Sequence, residues 1–153
     1  MLEGLEGKIT AVTGFDKGSG KTTLLAALLP HARRTGPVLI TTIGVDGRLK
    51  AHETGRAAAL PVEPGDVVLT TDLFLRAASA RLEVLDALPG HTVLGRSVLA
   101  RVIRGGEVTL VGAEHFRALA DLLDRVRSEV WARTILVDGA VNRITQVSAL
   151  GDV

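Results

Sequence analysis

Residues 8–23, KITAVTGFDKGSGKTT, constrain this chain more than any other stretch. A short apolar run rich in β-branched residues ends in a glycine turn. The turn closes on Gly20-Lys21-Thr22, and a leucine-rich helical pattern follows at once. This is the strand, glycine loop and helix start of a phosphate-binding P-loop. Gly18 and Gly20 carry no Cβ, so backbone N–H groups can converge on a phosphate. A helix beginning near Lys21 points the positive end of its dipole at that anion. Lys21 reaches the β- and γ-phosphates as a point charge and is the first catalytic candidate. The Thr22 hydroxyl suits Mg2+, which keeps most of its waters and takes few protein ligands. The candidate nucleotide-binding set is Gly14, Lys17, Gly18, Ser19, Gly20, Lys21, Thr22 and Thr23. Lys17 either adds a second positive charge near the phosphates or is an exposed loop lysine.

The spacing is irregular. In G-x-x-x-x-G-K-[ST] the fifth residue before Gly20 is glycine; here it is Phe15, and Gly14 stands one position earlier. The loop is one residue longer than the standard one. A chance glycine turn or a decayed loop are the alternatives. The strand and helix context speaks against the first, and the presence of both Lys21 and Thr22 against the second.

Composition narrows the rest. At 153 residues the chain reads as one domain, 1–153, long enough to bury about two thirds of its unfolded surface. Hydrophobic residues make up 46% and charged residues 23%, so a packed, soluble core is expected. A net charge of +1 gives no argument for nucleic acid or an acidic membrane surface as partner. The absence of cysteine removes disulfides, thiolate metal sites and cysteine nucleophiles, which fits a cytoplasmic protein. No run approaches the roughly 20 apolar residues of a spanning helix. The opening MLEGLEGK is acidic, without the apolar core of a signal peptide.

Along the chain the pattern predicts strands near 8–13, 38–42, 67–70 and 134–137. Helices are expected over 21–34, over 71–88 with Thr71 or Asp72 as cap, and over 113–130. In the last, Phe116, Leu119, Leu122, Leu123 and Val126 face inward. Residues 44–65 carry Gly44, Gly47, Gly55, Pro61, Pro64 and Gly65 and read as a long irregular loop, functional or mobile, with 44–60 expected to be the most mobile internal segment. Two β-rich runs around Arg104-Gly105-Gly106 suggest a hairpin. The expected fold is a three-layer α/β, P-loop NTPase-like domain with a largely parallel sheet and an inserted β-hairpin. After the last strand, Val141, Ile144, Val147 and Leu150 recur every three residues. They suggest an apolar patch closed by a second copy or another partner.

Two acids complete the chemistry. Thr134-Ile-Leu-Val-Asp138-Gly139 has the form of a Walker B strand whose terminal Asp138 receives Mg2+ through water; a core strand ending in an Asp-Gly turn has the same form. Asp46, in Gly44-Val-Asp-Gly47, follows the second strand. Loops beyond the carboxyl ends of parallel strands surround the ligand, so Asp46 could orient water, bind Mg2+ or accept a proton. A turn built on Asp-Gly explains it equally well. The four histidines show no ligand spacing. The lack of an N-K-x-D stretch favours ATP over GTP.

Three stretches taken together resemble one family: GFDKGSGKTT at 14–23, TIGVDGR at 42–48 and ILVDGAVNR at 135–143. They are similar to the P-loop protein encoded beside bacterial lysine 5,6-aminomutase, described as a subunit of that enzyme's reactivase. The family's phosphate loop is also one residue longer than the standard one, with a lysine at the place of Lys17. The resemblance implies nucleotide binding by Gly18, Gly20, Lys21 and Thr22, and singles out Asp46 and Asp138. It also implies a partner, an adenosylcobalamin-dependent aminomutase or its accessory ATPase. Three functions stay open: an accessory protein with slow ATPase activity, a small-molecule kinase, and a non-catalytic nucleotide sensor.

Overall fold

A computed structural model describes residues 4–14, 20–43, 59–89, 91–92, 94–113 and 115–140. The elements are β1 (Ile9–Gly14), α1 (Lys21–Ala32, continued by a 3-10 turn), β2 (Val38–Thr42), β3 (Leu60–Val62), β4 (Val67–Thr71) and α2 (Asp72–Ala77). There follow β5 (Arg81–Ala87), β6 (Ser97–Arg104), β7 (Gly106–Val108), α3 (Phe116–Ser128) and β8 (Thr134–Ala140). Six strands form one sheet in the order β1-β8-β2-β4-β6-β5. β1, β8, β2 and β4 run parallel; β6 is antiparallel to both β4 and β5. The protein is therefore mixed α/β with a mostly parallel six-stranded sheet.

The apolar runs explain why the central strands are central. Val38, Leu39 and Ile40 are fully buried, as are Ile135, Leu136 and Val137, because both faces of a parallel sheet need cover. Alternation then sorts the side chains between two cores. Ile9, Leu39, Leu69, Ile135 and Val137 pack with Leu119, Leu122, Leu123 and Val126 of α3. Val12, Val38, Ile40, Val68 and Leu136 pack with Leu25, Leu28, Leu29 and Ala32 of α1. The small antiparallel pair β3–β7 adds Leu60, Val62 and Val108 to the α1 side.

Four expectations are corrected. The helix expected over 71–88 forms at its expected start, with Thr71 at the N-cap, but only over Asp72–Ala77. α2 stops at Ala77, Ala78 turns extended, and residues 81–87 become the strand β5. Leu, Glu and Ala favour helix locally, but β5 covers the open side of β6, and that pairing overrides propensity. The hairpin around Gly105-Gly106 is also absent. β6 and β7 enter different sheets; β7 pairs with β3, and the hairpin of the fold is β5–β6. A Cβ on Gly106 would lie 2.5 Å from the Ala80 nitrogen, so glycine there lets two backbones touch as the chain leaves the sheet. Third, residues 60–62 of the expected loop are the strand β3. Fourth, Asp138 does not end its strand, since β8 runs on to Ala140. Residues 44–58 and 141–153, with the expected mobility of the first and apolar patch of the second, lie outside the described residues.

At the amino ends of the strands a buried ion pair ties α1's exit to β4's entry. Arg33 donates from Nε to Asp66 Oδ1 at 3.0 Å and from Nη2 to Asp66 Oδ2 at 2.6 Å. Asp66 Oδ2 also accepts from the Glu63 N–H, and Glu63 adds a second carboxylate beside Arg33. Burial alone would lower the Arg33 pKa. The hydrogen bond and charge of Asp66, then the charge of Glu63, outweigh it, and the pKa is raised. A raised basic pKa stabilises the fold below the unfolded value and is lost only as pH rises through the folded one. This clamp is thus fully present at and below neutral pH on the arginine side.

Candidate functional site

All four parallel strands present their carboxyl ends at one side of the sheet, where open α/β sheets hold ligands. β1 delivers the chain to Gly14, which pairs in register with Ala140 at the end of β8. The chain is next described at Gly20, the N-cap of α1, in the left-handed conformation (φ 77°, ψ 14°) that favours glycine. Gly20 has no side chain of its own to cap this helix end, and the first turn holds no acid. Among the described residues, and apart from its chain neighbours, nothing lies within 4 Å of where a Cβ on Gly20 would sit. The first N–H groups of an α-helix have no partner within it. Unpaired N–H groups and the helix dipole make an acid-free helix start favourable to negative charge. Lys21 is half-buried there, while Thr22 and Thr23 are exposed.

β8 lies between β1 and β2, with Val12 opposite Asp138 on one side and Thr42 opposite Asp138 on the other. Leu136 belongs to the α1-side core, so by alternation Asp138, two residues on, stands on that same face. Its residue is half-buried. Its carbonyl accepts from Thr42 Oγ1 at 2.9 Å and from the Ile43 N–H at 3.2 Å. Those bonds fix the backbone of β8 at Asp138 against the end of β2. Nothing in the sequence around Thr42 marks this bond.

Lys17, Gly18, Ser19 and Asp46 lie outside the described residues. Gly14, Gly20, Lys21, Thr22, Thr23 and Asp138 share the carboxyl end of the sheet. Reasoning from sequence missed the insertion beside them. β2 and β4 pair only at their first residues, Leu39–Val67 and Ile40–Val68. Farther up, residues 111–113 sit between them: Val111 N–H bonds the Leu69 carbonyl, and Ala113 bridges Ile43. At the end of β4, Thr71 Oγ1 is buried without a hydrogen-bond partner, and the side chain does not cap α2.

A cleft of about 330 Å³ opens elsewhere, between the end of β5 and α3, lined by Leu88, Pro89, Ala118, Asp121, Leu122 and Arg125. It lies on the α3 side and shares no residue with the α1 site. Among the described residues no group of three or more His, Asp or Glu gathers for a metal, and no helix is long and apolar enough to cross a membrane. No protein-family profile, curated protein or solved structure matches the chain.

Proposed function

We propose that the chain binds a nucleoside triphosphate, ATP or GTP, with Mg2+ at the start of α1. The observation that carries this reading is the left-handed Gly20 turn opening directly into Lys21-Thr22, with α1 packed on the face of the sheet that also bears Asp138. Backbone N–H groups of the turn would take the phosphates, and Lys21 would neutralise charge on the transferred group. Thr22 would offer its hydroxyl to Mg2+, and Asp138 would hold a water of that ion. When bound, the ion would supply positive charge to offset that of the phosphates. The sparse protein ligand set suits Mg2+, which binds through one or two side chains and the phosphates.

The reaction is slow hydrolysis in an accessory protein of a cobalamin-dependent aminomutase, a reading that rests on the three resembling sequence stretches. Calorimetry with Mg·ATP tests the site. Lys21→Ala is expected to lose measurable binding while keeping the fold by circular dichroism; unchanged affinity would overturn the reading. Single-turnover chemistry with γ-labelled ATP then separates the roles. Free phosphate supports the hydrolase, a labelled small acceptor supports a kinase, and tight binding without turnover supports a sensor.

A further inference from the structure

Among the described residues β1 has one strand neighbour, β8, and so forms an edge of the sheet. The direction of its backbone groups follows from the ladder. Ile9 is in register with Ile135, and the Ile135 N–H bonds the carbonyl of Lys8. In a parallel pair with that bond, Thr10 and Val12 turn their N–H and C=O groups toward β8. Ile9, Ala11 and Thr13 turn theirs away, to the outer side. That outer row is regular. The register with β8 is unbroken from Ile9 to Gly14, and the strand carries no charged residue, no proline and no bulge. Ile9 and Val12 are 3% exposed and Thr10 and Ala11 half-buried, so the strand is anchored by its side chains up to the exposed Thr13. An unguarded edge of this kind is a template for another strand.

We propose that the outer edge of β1 pairs antiparallel with the same edge of a second copy, joining two sheets into one. Three outward residues place the twofold axis at Ala11. Ile9 then faces the second copy's Thr13, and Ala11 faces its own counterpart, each pair exchanging two N–H···O=C bonds. The alternate spacing of 9, 11 and 13 is that of successive hydrogen-bonded pairs. No like charges meet within the strand, and the Ile–Thr pairs are β-branched, which suits cross-strand packing. A single strand pair buries far less than the roughly 800 Å² per partner of a standard interface, so the association is weak and concentration-dependent.

Amide hydrogen exchange by NMR on the full chain, at a series of protein concentrations, tests this. Thr10 and Val12 should be protected throughout. Ile9, Ala11 and Thr13 should gain about tenfold protection as concentration rises, with sedimentation reporting a dimer over the same range. Ala11→Pro and Thr13→Lys should both abolish that gain while leaving Thr10 and Val12 protected. Thr13 is exposed, so its substitution remains readable even where the proline variant folds poorly. Protection that does not depend on concentration means that the chain itself covers the edge and overturns the proposal. So does a lack of protection at the highest concentration, or a dimer that persists in both variants.

Discussion

β5 closes one side of the sheet with Arg81, Glu83 and Asp86 spread along seven residues, and its register with β6 shifts twice. β1 closes the other side with six residues, no charge and an unbroken register. Charges and bulges spoil an edge for further pairing, and β5 has both. The bulges also account for exposed apolar residues. Ile103, the extra residue opposite the Arg81/Leu82 shift, is 47% exposed because it has no position in the ladder. β1 has no such freedom. A bulge there would swing Gly14 away from the start of α1, and the strand must deliver the chain to the glycine turn in line. The strand that serves the candidate site is thus the one that cannot defend its own edge.

Proline tests this contrast most severely. Thr10→Pro removes an N–H that faces β8 and is expected to cost about 3 kcal/mol or more, whereas Ala11→Pro removes an outward one and should cost about 1. Denaturant midpoints of the two variants at low concentration measure the gap, and equal losses would mean that the outer row is already paired. A core truncation sets the scale between the edges. Leu136→Ala, at a fully buried position beside β1, should cost about 3 kcal/mol by urea unfolding. The third effect is the smallest. Arg125 pairs with Asp86 of β5 from an exposed position on α3. Arg125→Ala is expected to change stability by less than about 0.5 kcal/mol, since exposed pairs contribute little. A loss comparable to Leu136→Ala would show that β5's edge is held by charge and not merely guarded by it.

Strands β1, β2, β4 and β8 were legible in the sequence because each is a short apolar run bounded by Gly, Pro or charge, and because parallel strands bury both faces. α3 was legible from its amphipathic period; Leu119, Leu122, Leu123 and Val126 are buried as expected, and Phe116 is half-buried. β5 was not. Its residues prefer helix, and only a strand contributed from elsewhere, β6, decides otherwise. β7 failed for a related reason: its partner β3 lies far upstream, and no local signal announces it. At the candidate site, local chemistry was readable where it is local. Gly20 as a helix start carries its own signature, as does Asp138 at an apolar strand. The splitting of β2 from β4 by residues 111–113 is a long-range event with no sequence mark.

β8 sits between β1 and β2, yet it is the last strand described along the chain. Thr134 accepts a hydrogen bond from Gly7, 127 positions earlier. The first two strands of the sheet therefore have no common neighbour while a ribosome is still adding the middle of the chain. At about 5–20 residues per second, β2 waits several seconds or more with one flank unpaired, and β1 waits as long without a described strand partner. Pairings of such long range are slow to close once the chain is complete, because the loop entropy comes before the contacts. The central strand acts as a keystone: of the described strands synthesis delivers it last, and β1 acquires its only described neighbour when it arrives.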